Sequence, residues 1–196
     1  MRTSASGRAA LMRREGVRLK AYPDVKGIWT IGVGHTAGAG LPAPCPGMRI
    51  TQGECDAILQ RDLRLFEAAV ARAISRPMTQ NQFDACVSLA FNIGAAGFER
   101  SSVARRFNEG DVAGAADAFL LWCKPAVLKR RRGDERAQFL RPDPVASPRD
   151  EPAPPPSIPK TSSPQATPSP ARGVAPFLAA LFARWIRRAA PRGPRL

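Results

Sequence analysis

The sequence predicts an α+β fold, mostly helical, with a small β-hairpin near the N-terminus and a larger helical body after it. Three observations carry that expectation. The turn-forming string Pro23-Asp24-Val25-Lys26-Gly27 runs into the β-rich stretch Ile28-Trp29-Thr30-Ile31. From about Thr51 to Phe139 apolar residues recur at helical spacing, and two of those segments open with Thr followed three positions later by Glu or Gln. After Pro142 the composition changes abruptly, which ends the folded part.

Taken in order, Arg8, Leu11 and Met12 belong to a first helix that stops at Gly16 and leaves Glu15 at its end. The Asp24 turn and the strand opened by Ile28 form a hairpin of two or three strands. Thr51-Gln52-Gly53-Glu54 is a capping box that starts a long helix reaching Ala73, and Thr79-Gln80-Asn81-Gln82 repeats the device ahead of the apolar run Ala85 to Gly94. Further helices are expected over Asp111 to Trp122 and Lys129 to Phe139. Cys55, Cys86 and Cys123 fall on these helices and read as small core residues. Without a C-x-x-C pair, and with one histidine in the chain, the four cysteines do not suggest a zinc site; disulfides are a minority expectation.

The chemistry concentrates around the hairpin. Eight residues separate Glu15 from Asp24, and five separate Asp24 from Thr30. Two carboxylates on separate rigid elements suit hydrolysis of a glycosidic bond, in which one protonates the leaving oxygen and the other handles water or the developing positive charge. The same spacing, continued by Thr30-Ile31-Gly32-Val33-Gly34-His35, resembles the phage-type lysozymes (endolysins, glycoside hydrolase family 24). The resemblance covers about residues 4 to 141 and includes Phe91-Asn92-Ile93-Gly94 at the end of the central helix.

That resemblance implies a lysozyme-like, two-lobe fold with the helix from Thr51 bridging the lobes. It implies cleavage of the β-1,4 bond between N-acetylmuramic acid and N-acetylglucosamine in peptidoglycan glycan strands. Glu15 is then the general acid, Asp24 and Thr30 hold an attacking water, and the anomeric carbon is inverted. Thr36, Phe91, Asn92 and Ser101 match cleft-lining positions, and His35 and Arg131 match supporting ones; Arg130 or Arg132 would also serve for the latter. No cofactor or metal is implied, and a monomer is expected. A lytic transglycosylase is a rival reading, against which the retained Asp24 and Thr30 argue.

The net charge of +14 calls for an acidic partner. No nucleic-acid-binding signature is present and the single Tyr offers little for base stacking, so no nucleic-acid partner is expected; the anionic bacterial envelope fits better. The N-terminus has no apolar run of the kind a signal peptide needs. Together with the resemblance, this implies residence in the host cytoplasm until a holin-type pore gives access to the periplasm and wall. The expected organisation is a catalytic domain over 1–141, a linker over 142–172 and a cationic helix over 173–196. Eleven prolines lie between Pro142 and Pro170, too little apolar matter to offset ordering entropy. Beyond them Phe177, Leu181, Phe182 and Trp185 fall on one helical stripe with Arg184, Arg187 and Arg188 beside or beyond it. That pattern suits a membrane–water interface, and a non-enzymatic membrane-disrupting protein is the second rival reading.

Overall fold

The computed structural model describes residues 1–143. The linker from 144 onward and the amphipathic segment with Phe177, Leu181, Phe182, Arg184, Trp185, Arg187 and Arg188 lie outside the described residues.

Helix α1 spans Ala5–Glu15, capped by the Ser4 hydroxyl. A three-stranded antiparallel sheet follows in the order β1 (Arg18–Pro23), β2 (Trp29–Gly32), β3 (His35–Thr36). Its register sets Tyr22 opposite Thr30 and Thr30 opposite Thr36. A bulge between Arg18 and Tyr22 bends β1.

The long helix expected from Thr51 is two helices, α2 (Gln52–Asp62) and α3 (Arg64–Ala73), separated at Leu63. Leu63 stays in the right-handed region with ψ at −18° and is fully buried. The interruption gives each half its own inward face, Cys55, Ile58 and Leu59 on α2 and Ala69 and Val70 on α3. Both capping boxes form: Thr51 with Glu54, and Thr79 with Gln82 at the head of α4 (Gln80–Ile93).

Helix α4 is the axis of the helical body, with every residue from Phe83 to Ala90 buried. On it pack α1, α3, α5 (Ala95–Glu99) and, most extensively, α8 (Leu128–Leu140), while α6 (Ser102–Asn108) pairs with α7 (Val112–Phe119) and α7 with α8. The helix expected over Asp111–Trp122 begins at its cap, Asp111, and tightens into a 3₁₀ turn over Leu120–Trp122, so Cys123 follows the helix rather than lying on it. Cys55 and Cys86 are core residues, and all four thiols are free.

Two devices seat α1 on this body. Gly7 meets α4 at Asp84, so closely that a β-carbon there would lie 2.4 Å from the Asp84 carboxylate. Asp84 accepts from the Ser4 backbone N–H at 3.0 Å, and buried Glu67 accepts from the Thr3 backbone and hydroxyl at 2.8 and 2.9 Å. The far end closes on the same axis: Asp143 accepts from the Gln80 and Asn81 N–H groups at 2.7 and 3.0 Å, an N-terminal cap for α4. Those amides hold its carboxyl below the usual carboxylate range.

Candidate active site

Glu15 ends α1, and Gly16 turns the chain at φ 83°, a conformation glycine adopts at no steric cost. The turn delivers the backbone directly into β1. The last turn of α1 is fixed by Arg14, which donates to Ser88 Oγ at 3.1 Å and Gln138 Oε1 at 2.8 Å. The Glu15 side chain is 17% exposed, and its Oε1 lies 2.7 Å from Arg131 Nη2. No N–H is aligned on that oxygen, so the contact is an ion pair by proximity, and Oε1 has no hydrogen-bond donor among the described residues.

Arg131 is shared. Its Nε donates to Glu135 Oε1 at 3.0 Å and its Nη2 to the Ser88 carbonyl at 3.3 Å. Glu135 also accepts from Ser88 Oγ at 2.7 Å and from Arg132. Arg132 donates in turn to Asn92 Oδ1 and, at 3.1 Å, to the Trp122 carbonyl. Glu135 and Arg132 are wholly excluded from solvent. Burial pulls the Arg131 guanidinium down, but the charges of Glu15 and Glu135 outweigh it and hold it above the ordinary arginine value. For Arg132 burial prevails over Glu135 and lowers it. Two cations and two carboxylates thus interlock across α1, α4 and α8, with Glu15 the member nearest solvent. Lys129 and Arg130, by contrast, lie on the exposed face of α8.

Asp24 sits in the β1–β2 turn with one oxygen committed. Oδ1 accepts from the Lys26 and Ile28 N–H groups, both at 2.8 Å, while Oδ2 has no hydrogen bond among the described residues. Thr30 is 4% exposed, and its hydroxyl donates to the Ile28 carbonyl at 3.0 Å, leaving its lone pairs unused. Thr36 is half-buried across from it on β3.

His35 is buried between two acceptors, Asp62 Oδ2 at 2.7 Å from Nδ1 and the Pro42 carbonyl at 2.9 Å from Nε2. Burial alone would lower its pKa; the Asp62 carboxylate and the Pro42 carbonyl more than offset this and raise it. The ring thus pins β3 to α2 and to the Pro42 loop. Phe91 packs edge to face on Phe66, centroids 5.2 Å apart, and is half-buried at the margin of the core. Asn92 is engaged by Arg132, and Ser101 is buried with its hydroxyl capping α6. Of the four residues matched to a cleft lining, Thr36 alone has no side-chain hydrogen bond or ring partner of this kind among the described residues.

Sequence reading missed Glu135, Ser88, Arg14 and Asp62. Glu135 was the most accessible of these, since it follows Arg131 by four positions and Arg132 by three on one helix. Ser88 and Asp62 carry no local signal, because their partners are distant in sequence.

Residues 12–135 match the model of the phage lysozyme family. The chain is 46% identical over 144 residues to the endolysin of Salmonella phage P22, covering 71% of this chain and 99% of that relative. It is 38% identical over 149 residues to the endolysin of Acyrthosiphon pisum secondary endosymbiont phage 1, covering 71% and 98%. The crystal structure of a P22 lysozyme mutant superposes with a TM-score of 0.69 over 72% of this chain and 99% of that one, at 46% identity. The muramidase domain of SpmX from Asticaccaulis excentricus gives 0.65 at 40% identity, over 72% and 99%.

Proposed function

From the premise that the chain belongs to the phage lysozyme family, and so to the muramidase class of glycosidases, we propose how it acts and on which bond. The substrate is the glycan strand of peptidoglycan, cleaved at the β-1,4 bond between N-acetylmuramic acid and N-acetylglucosamine. Glu15 protonates the departing oxygen. A water held by Asp24 and Thr30 attacks the opposite face of the sugar, which inverts the anomeric carbon.

The observation that carries this reading is the mounting of the two acids. Glu15 is held at the end of α1 with its buried Oε1 against Arg131, and its Oε2 has no hydrogen bond among the described residues. Asp24 spends Oδ1 on its own turn and keeps Oδ2 for a ligand. A water donating to Asp24 Oδ2 and to a Thr30 lone pair keeps its own lone pair for carbon. An inverting pair needs that water between the carboxyls, hence a separation of roughly 6.5–9.5 Å rather than the about 5–5.5 Å of a retaining pair. Thr36 supplies a polar group beside the water; Phe91 offers a ring edge, and Asn92 is held in place by Arg132. Ser101 contributes through the helix it caps.

Digesting purified peptidoglycan and following fresh product by proton NMR checks the mechanism: an inverted anomer is expected, and a retained one refutes it. Mass spectrometry of the same digest excludes or reveals the transglycosylase route, whose anhydro ends are one water lighter. Replacing Glu15 with Gln removes the transferable proton at constant shape, and lysis should fall by about 10²–10⁴.

The remaining part of the proposal concerns reach. The P22 relative is covered almost end to end by 71% of this chain, so the rest has no counterpart in it. Residues 142–172 act as a spacer, and the stripe of Phe177, Leu181, Phe182 and Trp185 with Arg184, Arg187 and Arg188 binds the anionic envelope. Access to the wall from the cytoplasm runs through a pore made by another protein. Among the described residues no helix is long and apolar enough to cross a membrane.

A further inference from the structure

A groove of about 650 Å³ runs between α1 and α8, and Arg131, the ion-pair partner of Glu15, is one of its lining residues. Five arginines line it, Arg13, Arg14, Arg130, Arg131 and Arg141, against a single acid, Asp134. Arg14 and Arg131 are already engaged, by Ser88 and Gln138 and by Glu15 and Glu135, so the charge the groove offers a ligand is chiefly that of the other three. Arg13, Arg130 and Arg141 stand exposed on the walls and pair with no acid among the described residues. Clustering like charges on facing helices costs stability unless an anion neutralises them. The guanidinium fork is the side chain best matched to phosphate oxygens.

The lining also says which anion. Between the arginines it holds Ser6, Ala10, Asn81 and Ala137, with no aromatic ring on which a base could stack. Its concavity admits a flexible strand but not the plane of a bilayer. We propose that this groove binds a flexible phosphodiester polymer without bases, such as a polyol phosphate chain. Glu15 does not line the groove, but Arg131 touches both, so the arginines replaced in the test are confined to Arg13, Arg130 and Arg141, which do not contact Glu15. A polymer lying there would hold the enzyme on an envelope.

The test uses the full chain and a short poly(glycerol phosphate) as probe, with affinity measured across a salt series. In the triple variant Arg13→Gln, Arg130→Gln, Arg141→Gln, affinity should fall roughly 10- to 30-fold, and the salt dependence of log K should flatten by about two, as three lost phosphate contacts require. Asp134→Asn should tighten binding. A control triple with the same charge change, Arg64→Gln, Arg76→Gln, Arg100→Gln, removes exposed arginines outside the groove and should leave most of the affinity. Equal loss in both triples would overturn the proposal by reducing it to net charge. Unchanged polymer binding in the groove triple would overturn it as well, and so would a larger loss for single-stranded DNA or for phosphatidylglycerol vesicles than for the polymer. All three groove positions are exposed, and an unchanged thermal midpoint verifies the fold.

Discussion

Replacing Asp62 with Asn isolates the contribution of the buried His35 pair. His35 is 2% exposed, and both ring nitrogens face acceptors, so the doubly protonated imidazolium satisfies the site and the neutral ring cannot. Its raised pKa fixes the sign. A group whose folded pKa exceeds its unfolded value contributes fully below the unfolded pKa, about 6.5 for histidine. That contribution is lost as pH rises through the folded pKa. A hydrogen bond to a charged partner contributes about 1.5–3 kcal/mol, so Asp62→Asn should cost about 2 kcal/mol near pH 6. Above the folded pKa the neutral ring can exchange one hydrogen bond with the Asn amide, and the cost should shrink to under about 1 kcal/mol. Urea denaturation of wild type and variant at about pH 6 and pH 9 reads both numbers; the cysteine thiols and the α-amino group also titrate in that window, but they are common to both proteins and cancel in the difference. The same cost at both values would refute the reasoning, because it would mean that the charge of His35 does not change between them.

Glu135→Gln keeps the side-chain volume but leaves Arg131 and Arg132 without their shared carboxylate. Removing one partner of a buried pair costs about 3–5 kcal/mol, readable as a lowered denaturation midpoint, and a loss below 1 kcal/mol would show that the network is not the lock it resembles. Deleting residues 144–196, which spares the Asp143 cap on α4, should leave hydrolysis of purified peptidoglycan nearly intact and sharply reduce lysis of intact cells from outside. Equal loss in both assays would place the tail within the folded enzyme's own stability.

What the sequence made legible was whatever is written locally. The Thr51 and Thr79 caps, the Gly16 stop and the Asp24 turn each depend on residues within a few positions, and each forms as its pattern requires. The break at Leu63 was not legible, since no Pro or Gly marks it and the residue sits wholly buried in a core assembled from distant elements. For the same reason Arg131 could be chosen from four neighbouring cations only by resemblance, while its partners Ser88 and Glu135 come into view with the packing of α4 on α8.

The two kinds of information divide the site in a physically sensible way. Asp24 and Thr30 are oriented by backbone groups within four residues of themselves, so a short motif can specify them almost completely. Glu15 is different: its helix is placed by Gly7 against Asp84, its flank by Arg14 against Ser88 and Gln138, and its charge environment by Arg131 and Glu135. A general acid must be placed within reach of the departing oxygen, and such placement is a property of the folded body. On the proposed mechanism, the residues assigned to the water are therefore oriented by local sequence, whereas the residue assigned as acid depends on three helices being assembled. Damage to the α1–α4–α8 junction should accordingly abolish activity before it disturbs the Asp24 turn.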